Sequence, residues 1–359
     1  MVTFHILSFG CRASQADGAA LRGRLLGAGL VEASGGQGSD VAVLNTCTVT
    51  AAADAEVRQT IRRIHREKPD CRILVTGCYA QRAPQEIACL EGVASVVGNS
   101  HKHQVAEIVQ QIAASARRVA PLPAVETGSA SPPRPTGSDS HPPLGPATVR
   151  VGEIGREFHF SPAIPGDRTR PTLKIQDGCN ARCSFCIIPA VRGRSRSLPP
   201  AQVIDEIREM DRKGYKEVVL SGINLGSYGR DLAPPATFLE LIEKILDETA
   251  ILRLRISSIE PMDVSMELIG LAAREPRLAD HFHIPLQSGS DRILRQMNRR
   301  YWTSQYAERA QAVREMIPHA GLGADVMVGF PGETSEDHAA SVRFIDSIPF
   351  TYLHIFPYS

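Results

Sequence analysis

Short β-rich runs alternate with helix-compatible stretches along most of this 359-residue chain. In residues 1–117 the runs are Thr3–Ser8, Val41–Asn45, Ile73–Thr76 and Ser95–Gly98. Two parallel strands need a long crossover between them, and a helix between successive strands provides one. Alternation of strands and helices therefore indicates a parallel sheet. The first part of the chain is therefore predicted to be a wound parallel α/β domain.

The alternation returns after residue 169. The predicted strands there are Leu173–Gln176, Glu217–Leu220, Leu252–Ser257, His281–Leu286, Gly323–Val328 and Tyr352–Phe356. Apolar residues spaced for one helix face, such as Val203, Ile207 and Met210, lie between these runs. The pattern favours a partial (β/α)6 barrel over residues 169–359, with its active site at the carboxyl ends of the strands.

Residues 118–168 separate these two domains and differ from them in composition. Eight prolines lie between residues 120 and 146, together with Gly and Ser and few apolar side chains. Such a composition does not form a packed core, so the segment is predicted to be an exposed linker or a long excursion.

Charge and hydropathy exclude several classes of protein. Forty basic against thirty-nine acidic residues give a net charge of +1, so no overall field attracts nucleic acid or an anionic membrane. No apolar run approaches the roughly 20 residues that span a bilayer, and the start lacks a secretory signal. The protein is expected to be soluble and cytoplasmic, without a membrane partner. In that reducing compartment its eight cysteines favour metal or redox chemistry over disulfides.

Three cysteines follow the first predicted barrel strand on one short loop, with the spacing Cys-x-x-x-Cys-x-x-Cys. These residues, the first cysteine set, are Cys179, Cys183 and Cys186. Three thiolates can hold three irons of a 4Fe-4S cluster and leave the fourth iron open to a substrate or cofactor. The alternatives are a zinc site or structural thiols, but a closed zinc site needs a fourth ligand. Because no cysteine follows Cys186, the iron-sulfur cluster is the favoured interpretation.

A second cysteine set lies in the first domain, with each member at the end of a predicted strand. Its members are Cys11, Cys47 and Cys78. Because the carboxyl ends of parallel strands share one edge of a sheet, these thiols are expected to converge and hold a second iron-sulfur cluster. The alternative is thiols packed as small apolar groups, which is the interpretation for Cys71 and Cys89.

The loop of the first set resembles the signature of the radical S-adenosylmethionine (SAM) superfamily, in which an aromatic residue, here Phe185, precedes the last cysteine. With its second cysteine set, the chain is similar to the methylthiotransferases of that superfamily over nearly all of residues 1–117 and 170–359. The matching motifs include Phe9-Gly-Cys11, Asn45-Thr-Cys47, Thr76-Gly-Cys78, Cys186-Ile-Ile-Pro189, Pro285-Leu-Gln-Ser-Gly-Ser290 and Gly329-Phe-Pro-Gly-Glu333.

This resemblance implies two 4Fe-4S clusters, with SAM as the cofactor. The first cysteine set is implied to hold the cluster that binds the amino and carboxylate groups of SAM. The second set is implied to hold an auxiliary cluster that holds or donates sulfur. One SAM supplies a methyl group, and another supplies the radical that activates the substrate carbon. The resemblance also implies an electron donor, such as flavodoxin or ferredoxin.

Five further positions resemble SAM-contacting segments of the superfamily, in addition to Phe185. Gly222 and Asn224 follow the second barrel strand, where small residues let the main chain approach a ligand. Glu260 and Gln287 follow the third and fourth strands and are assigned polar contacts with SAM. Phe330 is assigned an apolar contact beside the adenine. The alternatives at these positions are ordinary turns and helix caps.

A basic loop beside the first cysteine set carries the expectation for the substrate. Arg192, Arg194 and Arg196 are assigned to substrate RNA, since guanidinium groups pair with phosphates and carboxylates. The chain looks most like the branch that methylthiolates carbon 2 of N6-threonylcarbamoyladenosine beside the tRNA anticodon. The anticodon stem-loop of tRNA is therefore the expected partner. Sibling branches act on isopentenyladenosine in tRNA or on an aspartate of a small-subunit ribosomal protein.

Three further observations bear on the class of protein. Family members usually continue into a C-terminal RNA-binding domain, which is expected to be absent because this sequence stops at Ser359. A non-catalytic iron-sulfur electron carrier or sensor is an alternative class, but electron carriers use four cysteines per cluster and each set here has three. A nucleic-acid scaffold is disfavoured by the net charge and an aromatic content of 5%. These observations favour an enzyme over the other classes of protein.

Overall fold

A computed structural model of the protein describes residues 1–33, 38–118, 146–155 and 169–359. The chain divides into two compact units. The first unit comprises Met1–Phe9, Arg24–Cys47 and Ala52–Gly152, and the second comprises Gly10–Gly23, Thr48–Ala51 and Glu153–Ser359. Most of the segment 118–168 that was predicted to be a linker lies outside the described residues.

The first unit contains a six-stranded parallel sheet, which confirms the predicted wound α/β arrangement. The order is β2-β1-β3-β4-β5-β6. The four predicted strands are present, and β2 and β6 are additional short strands. Because β6 pairs with β5, the segment 118–168 contributes a strand to this sheet. The bounds are β1 Thr3–Ser8, β2 Val31–Glu32, β3 Val41–Thr46, β4 Arg72–Gly77, β5 Val93–Gly98 and β6 Thr148–Arg150.

Helices connect these strands, as parallel pairing requires. All six residues of β3 are buried, which is the pattern of a strand covered on both faces. Val57 and Ile61 of α2 pack into the same apolar core as Leu44 and Val75. The helices of this part of the chain are α1 Arg12–Gly27, α2 Ala51–Glu67, α3 Cys78–Arg82, α4 Pro84–Ala88 and α5 Val105–Arg118.

The second unit contains the predicted partial barrel of parallel strands. Two three-stranded parallel sheets, β11-β10-β7 and β12-β13-β14, are joined by a parallel bridge between Ser258 and His283. A short antiparallel pair is formed by β8, which follows β7 in the chain, and β9. The bounds are β7 Thr172–Lys174, β8 Gln176–Asp177, β9 Arg196–Ser197, β10 Glu217–Ser221, β11 Arg253–Ile256, β12 His281–His283, β13 Gly321–Val328 and β14 Tyr352–Pro357.

Seven described helices accompany the barrel strands. One apolar core contains Leu220, Leu254, Phe282 and Leu322 of the strands together with residues of the helices. Alternate strand residues therefore point to the opposite, inner face. The helices are α6 Ile188–Arg192, α7 Pro200–Arg212, α8 Phe238–Glu248, α9 Met266–Arg274, α10 Asp291–Gln296, α11 Thr303–Met316 and α12 Ser335–Ser347.

β12 is shorter than the predicted strand His281–Leu286. Pro285 has no amide hydrogen to donate to a neighbouring strand. Two residues later Gln287 has φ 66, which ends the extended conformation. No helix in the described part of the chain combines the length and apolar character needed to cross a membrane.

Candidate functional site

The first cysteine set lies on a loop that begins directly after β8. Gly178 precedes it with φ 72, and a Cβ atom at this position would overlap the carbonyl oxygen of Arg194. Only glycine fits such a close approach of two backbone segments. The loop is held by a hydrogen bond from the Cys179 amide to the Gly193 carbonyl at 3.0 Å.

The loop brings the three thiols of this set together. Burial raises the pKa of the Cys186 thiol, and the nearby Cys183 and Cys179 thiols raise it further. Each of the three residues is only partly buried, so the loop remains reachable by a ligand. The arrangement suits soft metal ligation once the thiols lose their protons.

Gln176 connects this loop to the end of the neighbouring strand β10. Its side-chain nitrogen donates to the carbonyl of Gly178 at 2.7 Å and to the hydroxyl of Ser195 at 2.9 Å. Its side-chain oxygen accepts from the amide of Asn224 at 2.8 Å. This fully buried amide therefore fixes the cysteine loop against the segment that carries Gly222 and Asn224.

Two polar side chains from outside the cysteine loop reach the sulfur atoms. The Nδ2 atom of Asn224 lies 3.8 Å from the Sγ of Cys179. Nη1 of Arg299 donates to the Sγ of Cys183 at 3.4 Å, and the same guanidinium forms an ion pair with Glu260. Burial raises the pKa of Glu260, although the charge of Arg299 opposes that shift. Asn224 and Glu260 thus lie beside the loop, as their assignment to cofactor binding requires.

Three buried polar atoms around the carboxyl ends of the strands have no protein partner. They are Oδ1 of Asn224, Oγ of Ser257 and Oε1 of Gln287. Buried polar groups are nearly always hydrogen-bonded, and Gln287 is additionally held at a costly positive φ. A bound molecule rich in amino and hydroxyl groups would satisfy these atoms, so the residues present fit SAM.

An apolar wall adjoins the same loop. The rings of Phe185 and Phe330 meet edge to face, with their centroids 6.5 Å apart. Phe330 belongs to a small core cluster with Met297 and Met327, and Phe185 packs against that cluster. The side chains of Phe185 and Phe330 are therefore adjacent in space, and Phe185 lies within the loop of the first cysteine set.

The structure corrects the assignment of two of the three arginines to RNA. Arg192 and Arg196 are buried, with only 2% and 8% of their surface exposed, so their guanidinium groups are not presented to a phosphate. Arg192 pairs instead with Asp17 and Asp177, each at 3.0 Å. Arg196 donates to the carbonyls of Gly155 and Arg192 at 2.8 and 2.9 Å. Arg194 is exposed and keeps the role proposed for it.

In the first unit, Cys47 and Cys78 directly follow the neighbouring strands β3 and β4, whose last residues Thr46 and Gly77 are paired. A Cβ atom on Gly77, which has φ 103, would overlap the Thr46 carbonyl, so these strand ends approach closely. Both thiols are buried, and Nδ2 of Asn99 donates to the Sγ of Cys78 at 3.5 Å. The two cysteines therefore share the carboxyl edge of the sheet.

The remaining cysteines occupy different positions. Cys11 follows β1 by three residues and precedes α1, and its Sγ lies 3.7 Å from the hydroxyl of Ser14. Cys71 lies at the amino end of β4, and its thiol contacts the Ser39 hydroxyl at 3.7 Å. Cys89 is exposed directly after α4. Neither Cys71 nor Cys89 is at the carboxyl edge that holds Cys47 and Cys78.

Two known families match most of the described chain. The family described as the Radical SAM superfamily matches residues 173–345, and the uncharacterized protein family UPF0004 matches residues 3–98. The threonylcarbamoyladenosine tRNA methylthiotransferase MtaB of Bacillus subtilis is 37% identical over 100% of this chain and 73% of its own length. The chain belongs to the radical SAM methylthiotransferase family. The resemblance of the motifs to that family is thereby confirmed.

Other methylthiotransferase relatives cover the chain equally well. MtaB of Aquifex aeolicus is 36% identical over 98% of this chain and 79% of its own length. The tRNA-2-methylthio-N(6)-dimethylallyladenosine synthase of Syntrophobacter fumaroxidans is 35% identical over 99% and 73%. This methylthiotransferase is accordingly an enzyme that uses SAM and a 4Fe-4S cluster.

Solved structures support the fold of the methylthiotransferase. The radical SAM methyltransferase TsrM from Kitasatospora setae superposes with a TM-score of 0.66 over 99% of this chain and 74% of its own, at 15% identity. The cobalamin-dependent radical enzyme OxsB gives 0.60 over 96% and 51%, also at 15%. At such identities the likeness concerns the architecture alone.

Sequence reasoning missed two residues of the methylthiotransferase site. Gln176 carried a signal, since it is a polar residue at the end of the apolar run Leu173–Ile175 and just before the cysteine loop. Arg299 carried none, because it is 116 positions from Cys183 and reaches it only in the folded chain.

Proposed function

We propose that this methylthiotransferase modifies carbon 2 of N6-threonylcarbamoyladenosine beside the anticodon of tRNA. This substrate is supported by three relatives named threonylcarbamoyladenosine tRNA methylthiotransferase MtaB. They share 34–37% identity with this protein over at least 98% of its chain. Dimethylallyladenosine in tRNA is the second candidate, since synthases of its 2-methylthio derivative share 31–35% identity.

The loop of three thiols beside partnerless buried polar atoms is the observation that carries the radical part of the proposal. In it, Cys179, Cys183 and Cys186 would hold the cluster. Gly222, Asn224, Glu260 and Gln287 would contact SAM, and Phe185 and Phe330 would exclude water from it. When bound, the reduced cluster and SAM supply the radical that an adenine carbon-hydrogen bond requires, because side-chain bases are too weak to break it.

The second cysteine set would hold an auxiliary 4Fe-4S cluster through which sulfur arrives. The positions of Cys47 and Cys78 at one sheet edge support this part of the proposal. Cys11 would be the third ligand, as the family motif Phe9-Gly-Cys11 implies. Each domain would then carry one cluster, residues 1–117 the auxiliary one and residues 169–359 the SAM-binding one. An electron donor such as flavodoxin or ferredoxin is part of the proposal, as is a cytoplasmic location. Arg194 is the proposed RNA contact of the loop.

Metal analysis tests the two clusters separately. After anaerobic reconstitution we expect about eight irons per chain, and about four in each triple alanine variant of one cysteine set. The matched control replaces Cys71 and Cys89, the two cysteines outside both sets, and should retain about eight. A value of about four in the unmodified protein would remove the auxiliary cluster from the proposal.

Mass spectrometry of tRNA nucleosides tests the substrate. The protein is expressed in a host that lacks its own methylthiotransferases but makes both modified adenosines. We expect 2-methylthio-N6-threonylcarbamoyladenosine, and we expect it to vanish in either triple cysteine variant but not in the Cys71/Cys89 control. Methylthiolation of dimethylallyladenosine alone would shift the assignment to the second candidate.

A further inference from the structure

A polar cluster on the inner face of β12, β13 and β14 is separate from both cysteine sets. Phe282, Leu322 and Ala324 point into the apolar core, so the alternate residues of these strands face the barrel interior. Those residues include His283, Asp325 and His354. Asp325 is the register partner of His354, and His283 lies beside Gly323, two positions before Asp325.

The three side chains converge on one point. Nε2 of His283 lies 3.1 Å from Oδ1 of Asp325, and Nδ1 of His354 lies 3.2 Å from the same oxygen. One ligand atom from each of the three lies within 4.8 Å of the other two. Ligands about 2.0–2.2 Å from one metal ion have separations of this order, and two imidazoles with one carboxylate are a familiar ligand set for zinc and non-haem iron.

A neighbouring tyrosine can orient the buried histidine. The Tyr352 hydroxyl lies 3.1 Å from Nδ1 of His283 and 2.8 Å from Nε2 of His281. Metal-binding histidines almost always use their second ring nitrogen in a hydrogen bond of this kind, which keeps the other nitrogen directed at the metal. With its proton on Nδ1, His283 presents Nε2 as a ligand on the side of Asp325.

Burial and charge set how an ion would enter. The His283 side chain is only 6% exposed, whereas that of His354 is 61% exposed, so one ligand is fixed in the core and another borders solvent. The positive charges of Arg12 and Arg255 lower the pKa values of His281 and Tyr352, the side chains next to His283, although burial lowers that of His281 more and raises that of Tyr352. Arg255 is itself paired with Glu217 at 2.5 Å. The negative charge of Asp325 adds to the pKa increase that burial causes at Glu260, so Asp325 carries negative charge into this part of the barrel.

We propose that His283, Asp325 and His354 bind a divalent transition-metal ion of the zinc or ferrous class. The site is mononuclear and distinct from the iron-sulfur clusters. Three protein ligands leave at least one coordination position for water or for an oxygen atom of a bound molecule. Tyr352 is a positioning residue that holds the imidazole of His283.

The test uses the holoprotein, reconstituted anaerobically with iron and sulfide and freed of loosely bound metal. Zn²⁺ alone is the probe, titrated calorimetrically, and bound zinc and iron are then counted by elemental mass spectrometry. We expect one zinc per chain without loss of cluster iron. His354→Ala and Asp325→Ala should each bind zinc at least about tenfold more weakly, and Tyr352→Phe about tenfold more weakly.

His319→Ala is the matched control, since His319 forms an exposed pair with Asp280 at 2.8 Å on the same unit. It should bind zinc like the unmodified protein. Equal zinc binding by the unmodified protein and both ligand variants would overturn the proposal, as would no zinc binding by cluster-replete unmodified protein. Iron and sulfide content reports folding in every sample. If Asp325→Ala does not retain its cluster iron, the His354→Ala variant, at an exposed position, tests the proposal instead.

Discussion

Arg299 donates a hydrogen bond to the Sγ of Cys183 at 3.4 Å, although the two residues are 116 positions apart. The same guanidinium is paired with Glu260, and its side chain is only 7% exposed. A buried positive charge beside a cluster ligand stabilises the more negative, reduced cluster, because hydrogen bonds to sulfur and local charge set the potential. Arg299 is thereby placed to tune how readily the proposed SAM cluster accepts an electron.

Replacing Arg299 with Gln should lower the reduction potential of the SAM cluster. Loss of one charge-assisted hydrogen bond, about 1.4 kcal/mol, corresponds to roughly 60 mV for a one-electron couple. Potentiometric titration followed by electron paramagnetic resonance measures this shift. Arg295→Gln is the control, because Arg295 is exposed and stacks on Trp302 with its Cζ atom 5.1 Å from the ring centroid. An unchanged potential in Arg299→Gln would show that the contact has no electronic role.

Replacing Asp17 with Ala should destabilise the second unit strongly. Asp17 pairs with Lys174 and Arg192, which also pair with Asp177, so these side chains form a buried ion-pair network that reaches the start of the cysteine loop. Removing one member leaves an uncompensated buried charge, at a cost of about 3–5 kcal/mol. Urea unfolding followed by fluorescence measures it, since the single tryptophan, Trp302, lies in the same unit.

The matched control for this network is Asp205→Ala. Asp205 forms a surface pair with Arg208 at 3.4 Å, and its side chain is 73% exposed. Such pairs contribute about 0–1 kcal/mol, so the unfolding midpoint should hardly move. Equal effects of Asp17→Ala and Asp205→Ala would contradict the importance of the buried network.

Replacing Gly178 with Ala should abolish the SAM cluster. Gly178 has φ 72, and an added Cβ would overlap the Arg194 carbonyl, so the loop before Cys179 must move. Gly214→Ala is a matched control with φ 86 and open space around the added carbon. The control should lose about 1–2 kcal/mol from the positive φ alone and keep its iron. Iron and sulfide analysis separates the two outcomes, and full iron content in Gly178→Ala would count against the close fit.

Replacing Asp337 with Asn should lower thermal stability in a pH-dependent way. Hydrogen bonds from Arg292 and Thr334 hold the pKa of Asp337 well below its usual range. A carboxyl group with a depressed pKa stabilises the fold above its unfolded pKa of about 3.9, and this stabilisation is lost as the pH falls through the folded pKa. The variant should therefore melt a few degrees lower at pH 7 and at pH 5, and the difference should shrink below about pH 4.

Melting of the cluster-free protein, followed by Trp302 fluorescence, checks this prediction without interference from acid loss of iron. Asp346→Asn serves as the comparison, since Asp346 is an exposed residue of the same helix α12. It takes no part in the hydrogen bonds that Asp337 accepts from Ser290, Arg292 and Thr334. A difference between Asp337→Asn and the unmodified protein that stays constant down to pH 3 would contradict the assigned role.

Much of the architecture follows from local patterns. The runs at Thr3–Ser8, Val41–Asn45 and Ile73–Thr76 correspond closely to β1, β3 and β4, because alternation of strands and helices depends on residues close in sequence. Spacing within one loop likewise placed Cys179, Cys183 and Cys186 together. The added strands β2 and β6 were not predictable, since runs of two and three residues have no pattern of their own.

The sequence by itself determined the parallel α/β class, the partial barrel and the cysteine motifs that mark a radical SAM methylthiotransferase. Tertiary structure alone decided which arginines are buried, that Arg299 reaches Cys183, and that His283, Asp325 and His354 converge. Arg192 and Arg194 are two positions apart and look alike in sequence, yet one is in an ion-pair network and the other is exposed. Such contacts depend on register between strands and on closure of the barrel, which bring together residues that no local pattern relates.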